Sequence, residues 1–198
     1  MKRWLGEMKS SGVHQLACYL PFCRQSTVMA PGLDVDPRPN AAGDAEVVSD
    51  PTKHLVDSTG KATGSYQTIN EALTAAKPGD TILVKEGRYE ENACIQVENV
   101  TIRGHTKNPD LVRWQGRDAS VIVFRAASGV ISNLSLEQRG GGEVPTVEIL
   151  QGRLTIQNCD IRNETPLGSG VRVAGIGVCP TLAANRIFDC KRNGVEVV

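Results

Sequence analysis

Apolar and polar residues alternate in short runs that return at a nearly fixed interval. Val121-Ile122-Val123-Phe124, Thr146-Val147-Glu148-Ile149, Gly170-Val171-Arg172-Val173 and Gly194-Val195-Glu196-Val197 end at positions 124, 149, 173 and 197. Alternation over four residues is the mark of a half-buried strand. A recurrence near 24 residues is the mark of a solenoid, in which each repeat packs on its neighbours. A second series has the same character: Asn99-Val100-Thr101-Ile102, Asn133-Leu134-Ser135-Leu136, Asn158-Cys159-Asp160-Ile161 and Ala184-Asn185-Arg186-Ile187. Its first step is longer, and an insertion over 107–117, with the turn signal Asn108-Pro109-Asp110, is expected to supply the difference. Each repeat therefore carries at least two strands and no helix. The expected class is an all-β solenoid in which each strand bonds to its equivalent one turn away, about 4.8 Å distant.

Stacking assigns the side chains. Ile102, Leu136, Ile161 and Ile187 are expected to form one inward ladder, and Phe124, Ile149, Val173 and Val197 another. Val123, Glu148, Arg172 and Glu196 then face outward, and Glu, Arg, Glu up one face is an opposite-charge ladder that favours correct register. Asp160 and Arg186 are expected to stack outward on adjacent turns. Asn99, Asn133 and Asn158 fall at strand–strand corners, where Asn tolerates left-handed backbone.

The solenoid is expected over residues 53–198, behind a loosely ordered, Pro-rich leader at 1–52. Before the repeats, Ile69, Ala72, Leu73 and Ala76 make one helical face. Thr68 and Glu71 form a capping box, and Pro78-Gly79 ends the segment. A short helix at about 67–77 is expected to cap the open end of the coil, whose aliphatic core and strand edges need cover. The chain stops at Val198 in mid-repeat, so a piece of a longer protein is expected, with self-association through the bare last coil.

Composition narrows the chemistry. Lys plus Arg equals Asp plus Glu at 22 each, which gives no electrostatic reason to expect nucleic acid or an anionic membrane. Aromatics at 4% suit a narrow aliphatic core and leave few rings for a base-stacking platform. No stretch has the length of a membrane span. The six cysteines include no CxxC pair, so no metal site is expected, and reduced thiols in a cytosolic or nuclear protein are the plainer reading. The N-terminal apolar stretch is interrupted by His14 and Gln15, unlike a clean secretory signal. Gly140-Gly141-Gly142 lacks the Gly-Lys-Ser/Thr of a phosphate loop and reads as a turn; His54 and His105 are placed near turns.

Two resemblances follow from particular residues. Tyr66-Gln67-Thr68-Ile69-Asn70-Glu71-Ala72-Leu73, Pro78-Gly79-Asp80-Thr81-Ile82 and Glu86-Gly87-Arg88-Tyr89-Glu90-Glu91 look like the opening of pectin-lyase-like right-handed parallel β-helices, a segment shared by pectin methylesterases and NosD-type proteins. The stretch 168–182 and Asn185-Arg186-Ile187-Phe188-Asp189-Cys190-Lys191-Arg192-Asn193-Gly194-Val195 resemble the repeats of β-helical F-box-only proteins. The SHC-binding spindle protein family is similar and has no F-box. Nothing in residues 1–52 looks like an F-box, since no Leu-Pro start there is followed by alternating helices.

The second resemblance implies a non-catalytic protein-recognition scaffold, in the specific case one that selects substrates for a ubiquitin ligase. Glu148, Arg172, Glu196, Asp160 and Arg186 are the expected contact surface for an unidentified protein partner. No catalytic residue, cofactor or metal ligand is assigned. The alternative is a carbohydrate-active enzyme, a lyase, esterase or epimerase on uronic-acid polymers. The pectin methylesterase stretch Gly-x-x-Asp-Phe-Ile-Phe-Gly has no match here, and such an enzyme is expected to carry a secretory signal. A truncated product without activity of its own is the third reading.

Overall fold

The computed structural model describes residues 52–198. The expected leader thus lies almost wholly outside the described residues. Strand β1 (Lys53–Val56) comes first, followed by helix α1 (Ile69–Ala75). Strands then come in threes. β2 (Thr81–Val84), β3 (Gly87–Glu90) and β4 (Ala93–Ile95) make one turn. β5 (Val100–Gly104), β6 (Val112–Arg117) and β7 (Ile122–Phe124) make the next. β8 (Ser128–Ser132), β9 (Ser135–Arg139) and β10 (Val147–Ile149) follow. β11 (Arg153–Gln157), β12 (Asp160–Asn163) and β13 (Val171–Val173) form the fourth turn. The fifth is β14 (Thr181–Ala183), β15 (Arg186–Phe188) and β16 (Val195–Val197).

Every strand pairs in parallel with its equivalent in the neighbouring turn. Sheet I runs β1-β2-β5-β8-β11-β14, sheet II β3-β6-β9-β12-β15 and sheet III β4-β7-β10-β13-β16. The expected coil of stacked parallel strands is therefore present, with three strands per turn. No helix of the described residues is long and apolar enough to cross a membrane.

The ladders correct part of the expected register. Phe124, Ile149, Val173 and Val197 stack in sheet III as expected, with Ile95 beneath them. Leu136, Ile161 and Ile187 stack in sheet II, but the residues below Leu136 are Trp114 and Tyr89. Ile102 belongs to sheet I, between Ile82 and Ile131. The insertion is correspondingly shorter. The segment at 107–117 holds the 3-10 helix Pro109–Leu111 and then all of β6. Two different strands carry the same local pattern of Asn followed by alternating apolar residues, and only pairing tells them apart.

The corner between sheets I and II shows why Asn recurs. Asn133 and Asn158 have φ of 58° and 50°, and Asn158 Nδ2 donates to Asn133 Oδ1 at 2.7 Å. Asn99 shares the conformation (φ 55°) but stands ahead of β5, at a different corner. Gly104 follows Arg103, the partner of Ser132, and so lies beside Asn133. A Cβ on Gly104 would collide with the Asn133 carbonyl oxygen.

Helix α1 closes one end. Thr68 Oγ1 accepts from Glu71 N at 3.1 Å, and the reciprocal contact completes the capping box. Glu91, on the turn after β3, accepts from Ile69 N at 2.8 Å and Asn70 N at 2.9 Å. The helix buries Ile69, Ala72 and Leu73 against the core.

Candidate functional site

The expected contact residues lie on two faces. Glu148 and Arg172 are in register in sheet III and form an ion pair at 3.6 Å; Glu196 is next in the column. Glu196 accepts from Ser169 Oγ at 2.9 Å and pairs with Arg192 at 3.2 Å. Asp160 and Arg186 are in register in sheet II. Their contact is bidentate: Arg186 Nε donates to Asp160 Oδ1 at 2.7 Å and Nη2 donates to Oδ2. The Asp160 carboxylate raises the Arg186 guanidinium pKa further still. Asp160 is buried while Arg186 is exposed and also reaches Asp110 at 3.7 Å. Arg186 therefore ties the 3-10 insertion to the fifth turn. Expected as a plain surface pair, Asp160–Arg186 has one desolvated partner, which makes loss of the Arg more costly.

The sequence reading missed a cleft at the outer face of sheet II, near its junction with sheet III. It encloses about 260 Å³ between Arg88, Glu90, Glu91, Asn92, Gln115, Gly116, Arg117 and Arg139. β3, β6 and β9 supply its charged side chains because every second residue of those strands faces outward. Asn92 Nδ2 donates to the carbonyls of Ala119 and Ser120 at 2.7 and 3.0 Å, which pins the turn at the rim. Gly116 lets the backbone form the floor; a Cβ there would stand 2.8 Å from both Asn92 Nδ2 and Gln138 Oε1.

Charge in the cleft is unevenly spent. The Glu91 carboxylate is committed to the helix N-terminus. Glu90 pairs with Arg88 at 3.0 Å, and both side chains are more than half exposed. Arg139 pairs with Glu137 at 2.9 Å and lies 3.8 Å from Glu164. Arg117 has no ion pair among the described residues. Gln115 in the lining and Glu137 behind it are 5% and 6% exposed, so both side chains are desolvated. Arg88 Nε donates to Gln115 Oε1 at 2.5 Å, and Gln115 Nε2 donates to Glu137 Oε2 at 2.5 Å. The only signal in the sequence was the outward alternation Gln115, Arg117 and Glu137, Arg139, which looks the same as any solvated strand face.

Titratable groups elsewhere serve the fold. His54, expected near a turn, is a buried β1 residue whose Nε2 bonds Asp80 Oδ2 at 2.9 Å. That contact, with the Lys77 and Thr52 amides, lowers the Asp80 carboxyl below its ordinary value. The Thr59 hydroxyl and Lys85 hold Asp57 well below the usual carboxylate range. Burial pushes the Cys159 thiol up to about 12, so it is inert. Cys94, Cys159 and Cys190 are free thiols. No group of three His, Cys, Asp or Glu side chains among the described residues is arranged to hold a metal ion.

No family model matches the chain, and no curated protein matches it. Solved structures do. Pectin methylesterase PemA from Erwinia chrysanthemi is 14% identical with a TM-score of 0.50, over 62% of this chain and 49% of that one. The chain thus spans about half the length of that enzyme. Pectin methylesterase from Aspergillus niger, in penultimately deglycosylated form, is 16% identical with a TM-score of 0.43 over 69% of this chain and 61% of that one. The PemA likeness shows the fold: a right-handed parallel β-helix of the pectin-lyase-like kind.

Proposed function

We propose that the protein is carbohydrate-active and takes a uronic-acid polymer in the cleft on sheet II. The observation that carries this reading is Arg117, which has no ion pair among the described residues, beside Arg88 and Arg139 in a concave site with an amide at Gln115 and one exposed carboxylate at Glu90. A uronate sugar offers a carboxylate for the cations and hydroxyls for the amide. The fold likeness to a pectin methylesterase supports it. Glu91 is spent on the helix cap, so Glu90 is the lining carboxylate available for proton transfer. This reverses the order of the two readings drawn from sequence.

Product release from pectin, polygalacturonate and alginate, with and without Ca²⁺, tests the proposal. Glu90→Gln is expected to lower turnover by about 10²-fold or more with binding retained. Arg117→Ala is expected to weaken binding by about tenfold or more, the size of a lost charge-assisted hydrogen bond. A wild-type protein that neither binds nor converts any of these polymers would remove the reading.

One observation favours a second reading. Glu148, Arg172, Glu196, Asp160 and Arg186 pair with neighbouring side chains and do not converge on the cleft. Charged, rigid faces of this kind, one on sheet III and one on sheet II, suit contact with another polypeptide, and the protein-recognition role, in a ubiquitin-ligase context or otherwise, belongs to them. Specific capture of a protein partner that is lost in Arg172→Glu, with no glycan bound, would put this reading first.

A further inference from the structure

We infer that Arg88 and Glu137 are positioning residues that lock the side-chain amide of Gln115 in one orientation, so that Gln115 reads a sugar hydroxyl in the cleft. The functional part rests on the glycan reading above; the lock itself does not. A guanidinium carries N–H donors only, and an ionised carboxylate carries acceptors only. An amide between them has one permitted direction, with oxygen toward the cation and nitrogen toward the anion. Gln115 stands in that place. Its Oε1 accepts from Arg88 Nε at 2.5 Å, and its Nε2 donates to Glu137 Oε2 at 2.5 Å. The three residues sit on β3, β6 and β9, neighbours in sheet II.

Each end of the lock is itself held. Arg139 Nη2 donates to Glu137 Oε2 at 2.9 Å, which keeps that oxygen in place. Arg88 also contacts Glu90 at 3.0 Å, so its Nε is shared between Glu90 and Gln115. The burial of Gln115 and Glu137 removes water as a competing partner for the amide. With these bonds made, Gln115 retains one N–H and one oxygen lone pair, and it lines the cleft. A sugar hydroxyl, which both donates and accepts, is the group such an amide selects. Arg117 in the same cleft takes the carboxylate, so the combined preference is for a uronate with a free hydroxyl beside its acid group.

The test compares Arg88→Lys, Arg88→Ala and Arg88→Glu in the full chain. The Gln115 side-chain amide is followed by 15N–1H NMR, assigned by its disappearance in Gln115→Leu. Affinity for galacturonate oligomers is measured by calorimetry. Lys still donates, so Arg88→Lys is expected to preserve the separated amide proton signals. Arg88→Ala is expected to draw them together. Arg88→Glu presents an acceptor and is expected to turn the amide over, with the largest shift. Affinity is expected to fall about tenfold in Arg88→Ala, the fold-change of one hydrogen bond, to fall further in Arg88→Glu, and to recover to within about twofold in Arg88→Lys. Gln115 signals unmoved in both Arg88→Ala and Arg88→Glu overturn the lock, whatever the glycan does. A spectrum that follows this order in a protein that binds no galacturonate supports the lock and sinks the glycan reading. Intact binding in all three variants overturns the role of Gln115 in recognition.

Discussion

Ala184 occupies the corner that Asn158 and Asn133 hold one and two turns earlier, respectively, at φ 53°. Left-handed backbone costs a residue with a Cβ about 1–2 kcal/mol, and Ala has no side-chain amide to offset it. Ala184→Gly is therefore expected to stabilise the protein by about 0.5–1 kcal/mol in chemical denaturation. Ala184→Asn should do at least as well if its amide joins the Asn133–Asn158 bond. Unchanged midpoints in both would mean that the corner carries no strain. The lowered carboxyls act at the same scale. Asp57 and Asp80 have folded pKa values below their unfolded ones. Their stabilisation is fully present above about pH 4 and is lost as the pH falls through the lowered folded values. The melting temperature of Asp80→Asn is expected to fall less than that of wild type between about pH 6 and pH 3, because one of the two linked groups is gone. An equal fall in both proteins would assign the acid sensitivity to other carboxyls.

Among the elements, α1 shows how a short helix survives. Its seven residues are too few to be stable alone. Burial of Ile69, Ala72 and Leu73 and two caps hold it. Thr68 and Glu71 form the local cap, and Glu91 reaches it from beyond β3. Glu91→Ala leaves two N–H groups without the carboxylate and is expected to cost about 1–2 kcal/mol, seen as an earlier denaturation midpoint. Recovery of wild-type stability by Glu91→Gln would show that hydrogen bonding outweighs charge here. The strands obey a simpler rule. Three residues such as Val171–Val173 make a strand only because equivalents lie on both sides in register.

At the scale of the whole molecule, stability passes from turn to turn. Ile161 is fully buried between Leu136 and Ile187, whereas Arg172 is 40% exposed at its side chain beside Glu148. Ile161→Asp puts an unpaired charge into the aliphatic ladder and is expected to cost several kcal/mol, roughly 3 or more. Arg172→Ser is expected to cost no more than about 1 kcal/mol. In hydrogen exchange the Asp variant should lose protection first in the third, fourth and fifth turns, since strands pair only between adjacent turns. Uniform loss across all turns would show that the coil unfolds as a single unit.

The sequence by itself determined the coil, its period, the capping box at Thr68 and Glu71, the sheet III ladder from Phe124 to Val197, and the Asp160–Arg186 pair. Each is local or repeats at a constant step, so one correct alignment of turns fixes them all. Only the tertiary structure decided that Ile102 and Leu136 belong to different sheets, because identical alternation marks strands of every sheet. It alone brought Arg88, Gln115 and Glu137 into contact. Those residues lie on successive turns separated by unequal loops, and outward polar residues carry no pattern that tells a cleft from a solvated face. Their chemistry comes from lying side by side with Gln115 and Glu137 buried, and burial on an outer face is set by what neighbouring turns and loops cover.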